Sequence, residues 1–272
     1  MRKKIIFLRG GGLGDFILTL PLLQLARSRY EEVLLYTHSH YAGLLNDNWA
    51  WLEVGNLDEL SGRPPPMVAG TTVVSFWMER GWHDEMIRAG ASSVFAIPPR
   101  PVEGDHFVAQ ALCVLGWEAP KDLLSQQIIG GAWRDWQRSL WIHPGSGAVG
   151  KNLPMEYFID RANQWIASKR EGKVVFSLGE ADEQAGNFLK KHALCQHPQV
   201  SLIEPVTVQE LKNQLSLQAD QYLGNDSGPG HLAAGLGIPV EIWYTRTASA
   251  VWHPVGPRVK TYDWLSDSKR IL

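Results

Sequence analysis

Short apolar runs suited to strands alternate along the chain with stretches whose apolar residues recur at helical spacing. Ile5 to Arg9 is a run of the first kind and matches a strand covered on both faces, while Asp15 to Ser28 follows a glycine loop with helical spacing. Val33 to Thr37, Thr72 to Trp77 and Ser93 to Ile97 supply three more strands, and helices are expected over Trp82 to Arg88 and His106 to Leu115. Ser61 to Gly70 carries Pro64, Pro65 and Pro66 and is expected as loop, because proline has no N–H to give a sheet ladder.

The order of strand, glycine loop and helix then recurs, with Leu140 to His143 as strand, Pro144 to Gly147 as loop and Met155 to Ile166 as helix. Lys173 to Leu178, Ser201 to Ile203, Gln221 to Leu223 and Val240 to Tyr244 continue the strands, and Glu183 to Lys191, Val208 to Leu217 and Gly230 to Leu236 the helices. This alternation implies two α/β halves, each a mostly parallel sheet covered by helices. Their boundary is expected within Leu123 to Arg138, where polar residues and Gly130-Gly131 interrupt the pattern, dividing the chain into 1–130 and 131–272.

Composition narrows the class. A hydrophobic content of 44% over 272 residues excludes disorder and is enough for one large or two ordinary domains. With 26 Lys plus Arg against 28 Asp plus Glu, no global field draws nucleic acid or anionic lipid, so a polyanion must be held by a local site. Cys113 and Cys195 give neither metal-ligand spacing nor a disulfide framework and are expected as buried small hydrophobes. The run Ile5 to Leu8 after Met1-Arg2-Lys3-Lys4 is too short for a signal peptide or a membrane span, so a cytoplasmic protein is expected, with peripheral membrane contact left open.

Three clusters carry candidate chemistry. In Gly10-Gly11-Gly12-Leu13-Gly14-Asp15 the glycines let a ligand approach the start of a helix, whose unpaired donors favour negative charge. The segment is neither a dinucleotide fingerprint, since Asp15 fills the third glycine position, nor a Walker loop, since no Lys-Ser or Lys-Thr follows. Asp15 either caps the helix or takes a proton from an acceptor hydroxyl. The second cluster, His143-Pro144-Gly145-Ser146-Gly147 with Lys151-Asn152-Leu153-Pro154, reads as a phosphate cradle in which Lys151 neutralises a departing diphosphate, or as an ordinary connection with an exposed Lys.

The third cluster runs from Leu223 through Gly224-Asn225-Asp226-Ser227-Gly228-Pro229-Gly230-His231 to Ala234. Backbone donors after Ser227, with its hydroxyl, can grip phosphate oxygens, and small side chains let the helix pack closely. Asp226, being negative, is read as ordering the loop or meeting a sugar hydroxyl, and His231 either donates to a diphosphate or is a polar first-turn residue. Glu180 and Glu183 follow another strand, where each can accept from a ribose or start a helix. No Cys or His spacing forms a metal site, and no Ser-His-Asp elbow is present.

Taken in order, Gly12-Leu13-Gly14-Asp15 with Thr19-Leu20-Pro21, His143-Pro144-Gly145-Ser146 with Lys151 and Pro154, and Gly224-Asn225-Asp226-Ser227-Gly228 with His231-Leu232-Ala233-Ala234 resemble the bacterial heptosyltransferase family, glycosyltransferase family 9. The chain looks like a divergent, short member. The resemblance implies two Rossmann-like domains facing a cleft (GT-B type), 1–130 on the acceptor side and 131–272 binding a nucleotide sugar. It implies inverting transfer of a sugar from a nucleotide-diphosphate donor such as ADP-heptose to a lipopolysaccharide or other surface-glycan acceptor, with no cofactor or catalytic metal. It implies a cytoplasmic enzyme that can sit peripherally at the inner membrane. By the same matches, Asp15 is the base and Lys151 stabilises the diphosphate. Glu183 meets the ribose, and Gly12, Gly14, Ser146, Asp226, Ser227, Gly228 and His231 line the ligand. Trp243-Tyr244-Thr245-Arg246-Thr247 departs from the family's Phe-Gly-Pro-Thr-like turn. The other readings are a catalytically inactive nucleotide-sugar-binding or glycan-assembly protein, or a sugar-nucleotide epimerase.

Overall fold

The computed structural model describes residues 3–45, 47–130, 139–168 and 172–271. The chain folds as two compact units, Met1–Leu123 and Leu124–Leu272. Residues 124–130 run with the second unit because the N–H groups of Ile128 and Ile129 bond the Gly235 carbonyl and Gly256 N–H bonds Leu124. The rest of the expected boundary zone, 131–138, lies outside the described residues.

The first unit holds strands β1 (Lys4–Leu8), β2 (Glu32–Thr37), β3 (Glu53–Asn56), β4 (Thr72–Ser75) and β5 (Ser93–Ala96). They pair in parallel in the order β3-β2-β1-β4-β5. Its helices are α1 (Leu13–Arg27), α2 (Ser39–Ala42), α3 (Arg80–Arg88) and α4 (Phe107–Leu115). Ile5 to Leu8 are fully buried, as a strand with helices on both faces requires. Helix α1 is buried on all sides from Phe16 to Leu23, so Thr19 and Pro21 lie in the interior.

The second unit repeats the plan with β6 (Ser139–His143), β7 (Lys173–Ser177), β8 (Val200–Ile203), β9 (Gln221–Asn225), β10 (Val240–Tyr244) and β11 (Val259–Asp263). The order β11-β10-β9-β6-β7-β8 is again all parallel. Its helices are α5 (Met155–Ser168), α6 (Glu183–Lys191), α7 (Val208–Gln218), α8 (Gly228–Gly235), α9 (Ser249–Trp252) and α10 (Trp264–Ile271). Leu140, Ile142, Phe158, Phe176 and Trp243 build its core against α5 and α6.

Both sheets are doubly wound, and the strand order reverses between β1 and β4 in one and between β6 and β9 in the other. Ligands of such sheets bind where the order reverses, at the C-terminal strand ends. The loop 9–15 follows β1, and the segments 144–154 and 226–231 follow β6 and β9, so all three candidate clusters stand at these points.

Strands β3 and β11 were not expected from the sequence. Both are partly exposed edge strands, Glu-Val-Gly-Asn and Val-Lys-Thr-Tyr-Asp, with no apolar run to mark them. Neither cysteine is fully buried: Cys113 is exposed and Cys195 half-buried. Residues 107, 108, 111, 112 and 115 form the inner stripe of α4, which turns Cys113 outward.

Candidate active site

In the first unit the glycine loop is built around Asp15. Gly12 is the N-cap of α1, and its N–H donates to Asp15 Oδ2 at 2.9 Å. The other oxygen, Oδ1, accepts from Arg9 Nη2 at 2.7 Å. Gly11 has φ of +101°, which favours glycine, and a Cβ there would collide with the Asp15 carboxylate. Arg9 is 2% exposed, with its guanidinium 4.3 Å from the Phe76 ring centroid and 5.1 Å from that of Phe107. Burial pushes Arg9 down to about 10 while Asp15 opposes the shift, so it remains cationic at neutral pH. Asp15 is thus a cap, an ion-pair partner and a carboxylate a quarter exposed to solvent. Gly14 is the second residue of α1, and the Trp77 indole, after β4, packs on Gly10.

In the second unit a buried network shapes the loop after β6. His143 sits with Nδ1 2.9 Å from the Ser177 carbonyl and Nε2 3.5 Å from Asp182 Oδ2. Burial lowers the His143 pKa below 6.5, against the pull of Asp182 and Ser177. Asp182 accepts from Gly179 N–H at 2.7 Å and fills the space where a side chain at 145 would go, so any substitution of Gly145 must displace it. The Ser146 hydroxyl lies 2.8 Å from the Ala148 carbonyl and 2.6 Å from Asn152 Oδ1, closing the turn that presents Lys151.

Asn225 and Asp226 tie this turn to the loop after β9. Asn225 Nδ2 donates to the Pro144 carbonyl at 2.6 Å and its Oδ1 accepts from Leu153 N–H at 3.1 Å. Asp226 Oδ2 accepts from Lys151 Nζ at 3.0 Å and from Thr247 Oγ1 at 2.7 Å. Asp226 therefore orders the loop, one of the two roles its charge suggested. The next residue, Ser227, is the N-cap of α8, yet its hydroxyl does not cap the helix. That hydroxyl and the Tyr222 phenol oxygen are both buried, and burial drives the phenol pKa up. Gly228 opens α8, Pro229 sits in its first turn, and a Cβ at Gly230 would lie 2.7 Å from Ile242, so the helix end is drawn onto the sheet. His231 is 4% exposed in this turn.

Glu183 opens α6 after β7 and is exposed, as is Glu180; the acid between them, Asp182, is the one that turns inward. A cavity of about 460 Å³ lined by Gln221, Glu241, Arg258 and Lys260 opens instead at the N-terminal strand edge, away from these turns. Among the described residues no group of three or more His, Cys, Asp or Glu is placed to hold a metal, and no helix is long and apolar enough to cross a membrane. Arg9, Asp182 and Thr247 were not singled out from the sequence, and Asn225 was named in its motif without a role of its own. Only Arg9 left a signal there, as a charge ending an apolar strand beside three glycines.

Two doubly wound parallel units, with glycine-rich turns at both switch points and a cation beside a helix N-terminus in the second, have the architecture of the GT-B class. The model of glycosyltransferase family 9 (heptosyltransferase) matches residues 126–267, more than half of the chain. The chain belongs to this family.

Solved structures share the fold. The glycosyl transferase family 9 protein of Veillonella parvula is 17% identical with a TM-score of 0.71, covering 99% of this chain and 90% of its own. ADP-heptose lps heptosyltransferase II of E. coli is 15% identical with a TM-score of 0.73, covering 95% and 90%. E. coli heptosyltransferase WaaC with ADP is 14% identical with a TM-score of 0.66, covering 96% and 93%. No curated protein sequence matches the chain.

Proposed function

We propose that the protein is an inverting glycosyltransferase that moves a sugar, heptose by family, from a nucleotide-diphosphate donor such as ADP-heptose to a lipopolysaccharide or other surface-glycan acceptor. The observation that carries this reading is the placement of Lys151, ion-paired to Asp226, beside the N-terminus of α8 where the second sheet reverses order. The donor diphosphate lies there, met by Lys151, the Ser227 hydroxyl, Gly228 and His231. Ser146 shapes the turn, and Glu183 accepts from the ribose. As the glycosidic bond breaks, its electrons leave with the diphosphate, and Lys151 with the helix end offsets the growing charge in place of a metal. The ADP-bound relative with the same fold supports a nucleotide diphosphate as ligand.

Asp15 acts from the first unit as general base, with Gly12 and Gly14 keeping the helix start open. Arg9 and Gly12 N–H occupy one position on each carboxylate oxygen, which leaves further lone pairs to take the proton of the acceptor hydroxyl. The acceptor oxygen bonds to the anomeric carbon opposite the leaving diphosphate, so configuration inverts in one displacement. A glycolipid acceptor would bring the protein to the inner-membrane surface without a spanning segment.

The same Arg9–Asp15 pair also favours a second reading, in which Asp15 only caps α1 and the protein binds nucleotide sugar without turnover. Turnover by wild type, followed by its loss or retention in Asp15→Asn, separates the two. The transferase reading predicts a fall in turnover of about a hundredfold or more, with donor affinity by calorimetry within about twofold of wild type. Unchanged turnover overturns the base assignment.

A further inference from the structure

We propose that Arg246 is a second cation of the donor diphosphate site, acting alongside Lys151; this rests on the donor reading above. Arg246 is exposed, and it stands in the turn after β10, the strand beside β9. Both of its threonine neighbours are spent on the candidate site. Thr245 Oγ1 donates to the Lys151 carbonyl at 3.0 Å, and Thr247 Oγ1 donates to Asp226 Oδ2 at 2.7 Å. These two bonds fix the turn against the loops after β6 and β9 and leave the guanidinium between them over Gly150. A Cβ at Gly150 would lie 3.0 Å from Arg246 Cζ and 3.1 Å from Nη1, so the guanidinium occupies the space that a missing side chain leaves beside Lys151.

Bringing two cations to one turn costs Coulomb energy, and Asp226 already has Lys151 and Thr247 as donors on the same oxygen. An anion with more than one charged oxygen group offsets that cost. A diphosphate suits it well, since a planar guanidinium can bind two of its oxygens at once while Lys151 meets the other phosphate as a point charge. This second cation stands in the turn 243–247 that follows β10. It places specificity for a diphosphate over a monophosphate on the β10 turn.

The test is calorimetry with ADP, GDP, UDP and CDP and their monophosphates on wild type, Arg246→Gln, Gly150→Ala and the double variant. All substituted positions are exposed, and the Gly150→Ala methyl meets only the far end of a flexible side chain. Arg246→Gln is expected to weaken binding of the preferred diphosphate by about tenfold, with the matching monophosphate little changed. Gly150→Ala, by displacing the guanidinium, is expected to weaken diphosphate binding several-fold when Arg246 is present and to add nothing in the double variant. Unchanged diphosphate affinity in Arg246→Gln overturns the proposal, as does equal loss for both nucleotides or an additive double variant. A wild type that binds no nucleoside diphosphate overturns the donor reading as well, whereas wild-type binding with an inert Arg246 removes only the second cation.

Discussion

Arg9 shows how one buried charge sets the geometry of a site. Its guanidinium, placed just after the fully buried residues Ile5 to Leu8, needs a partner, and the turn that follows presents Asp15 at the start of α1. The carboxylate is thereby held at the switch point of the first sheet. His143 is the counterpart in the second unit, a buried ring whose pKa is lowered by desolvation. The sign of its pH effect follows from linkage. Below about 6.5 the unfolded chain takes up a proton at His143 that the folded protein resists, so stability falls as pH drops through and below that value. The midpoint of thermal unfolding is expected to fall more steeply between pH 7 and 5.5 in wild type than in His143→Gln. Parallel curves for the two proteins would contradict this.

At the scale of elements, Gly145 and Asp182 join the loop after β6 to the start of α6. Gly145→Ala places a methyl on the Asp182 carboxylate, which is 5% exposed and bonded to Gly179, so it cannot move freely. A loss of about 2 kcal/mol in unfolding free energy is expected, measured by urea denaturation. An unchanged midpoint would show that the loop yields at no cost. The same elements show what the sequence disclosed. Strands β1, β6 and β7 were legible because central parallel strands carry apolar runs, while β3 and β11 were not, since these two edge strands are partly exposed and lack the apolar residues that still mark the edge strands β5 and β8. Lys151, Asp226 and Ser227 were legible because small and polar residues end a strand there. Asn225, Asp182 and Thr247 act through pairings across 81, 39 and 21 positions of sequence, which spacing does not reveal.

For the whole molecule, two units share the same doubly wound plan. In the proposed reaction the first unit gives the base for the acceptor hydroxyl, and the second a cationic turn with a helix N-terminus for the donor diphosphate. Because protein groups carry the charge of the leaving diphosphate in this account, dialysis against EDTA is expected to leave the transfer rate unchanged, and loss of activity restored by a divalent or iron salt would contradict it. The most direct measurement is product analysis after incubating the full chain with ADP-heptose and a lipopolysaccharide acceptor that lacks heptose. One added sugar is expected for each ADP released, with the new glycosidic carbon inverted relative to the donor. Bound donor that is never transferred, or a product of retained configuration, would contradict it.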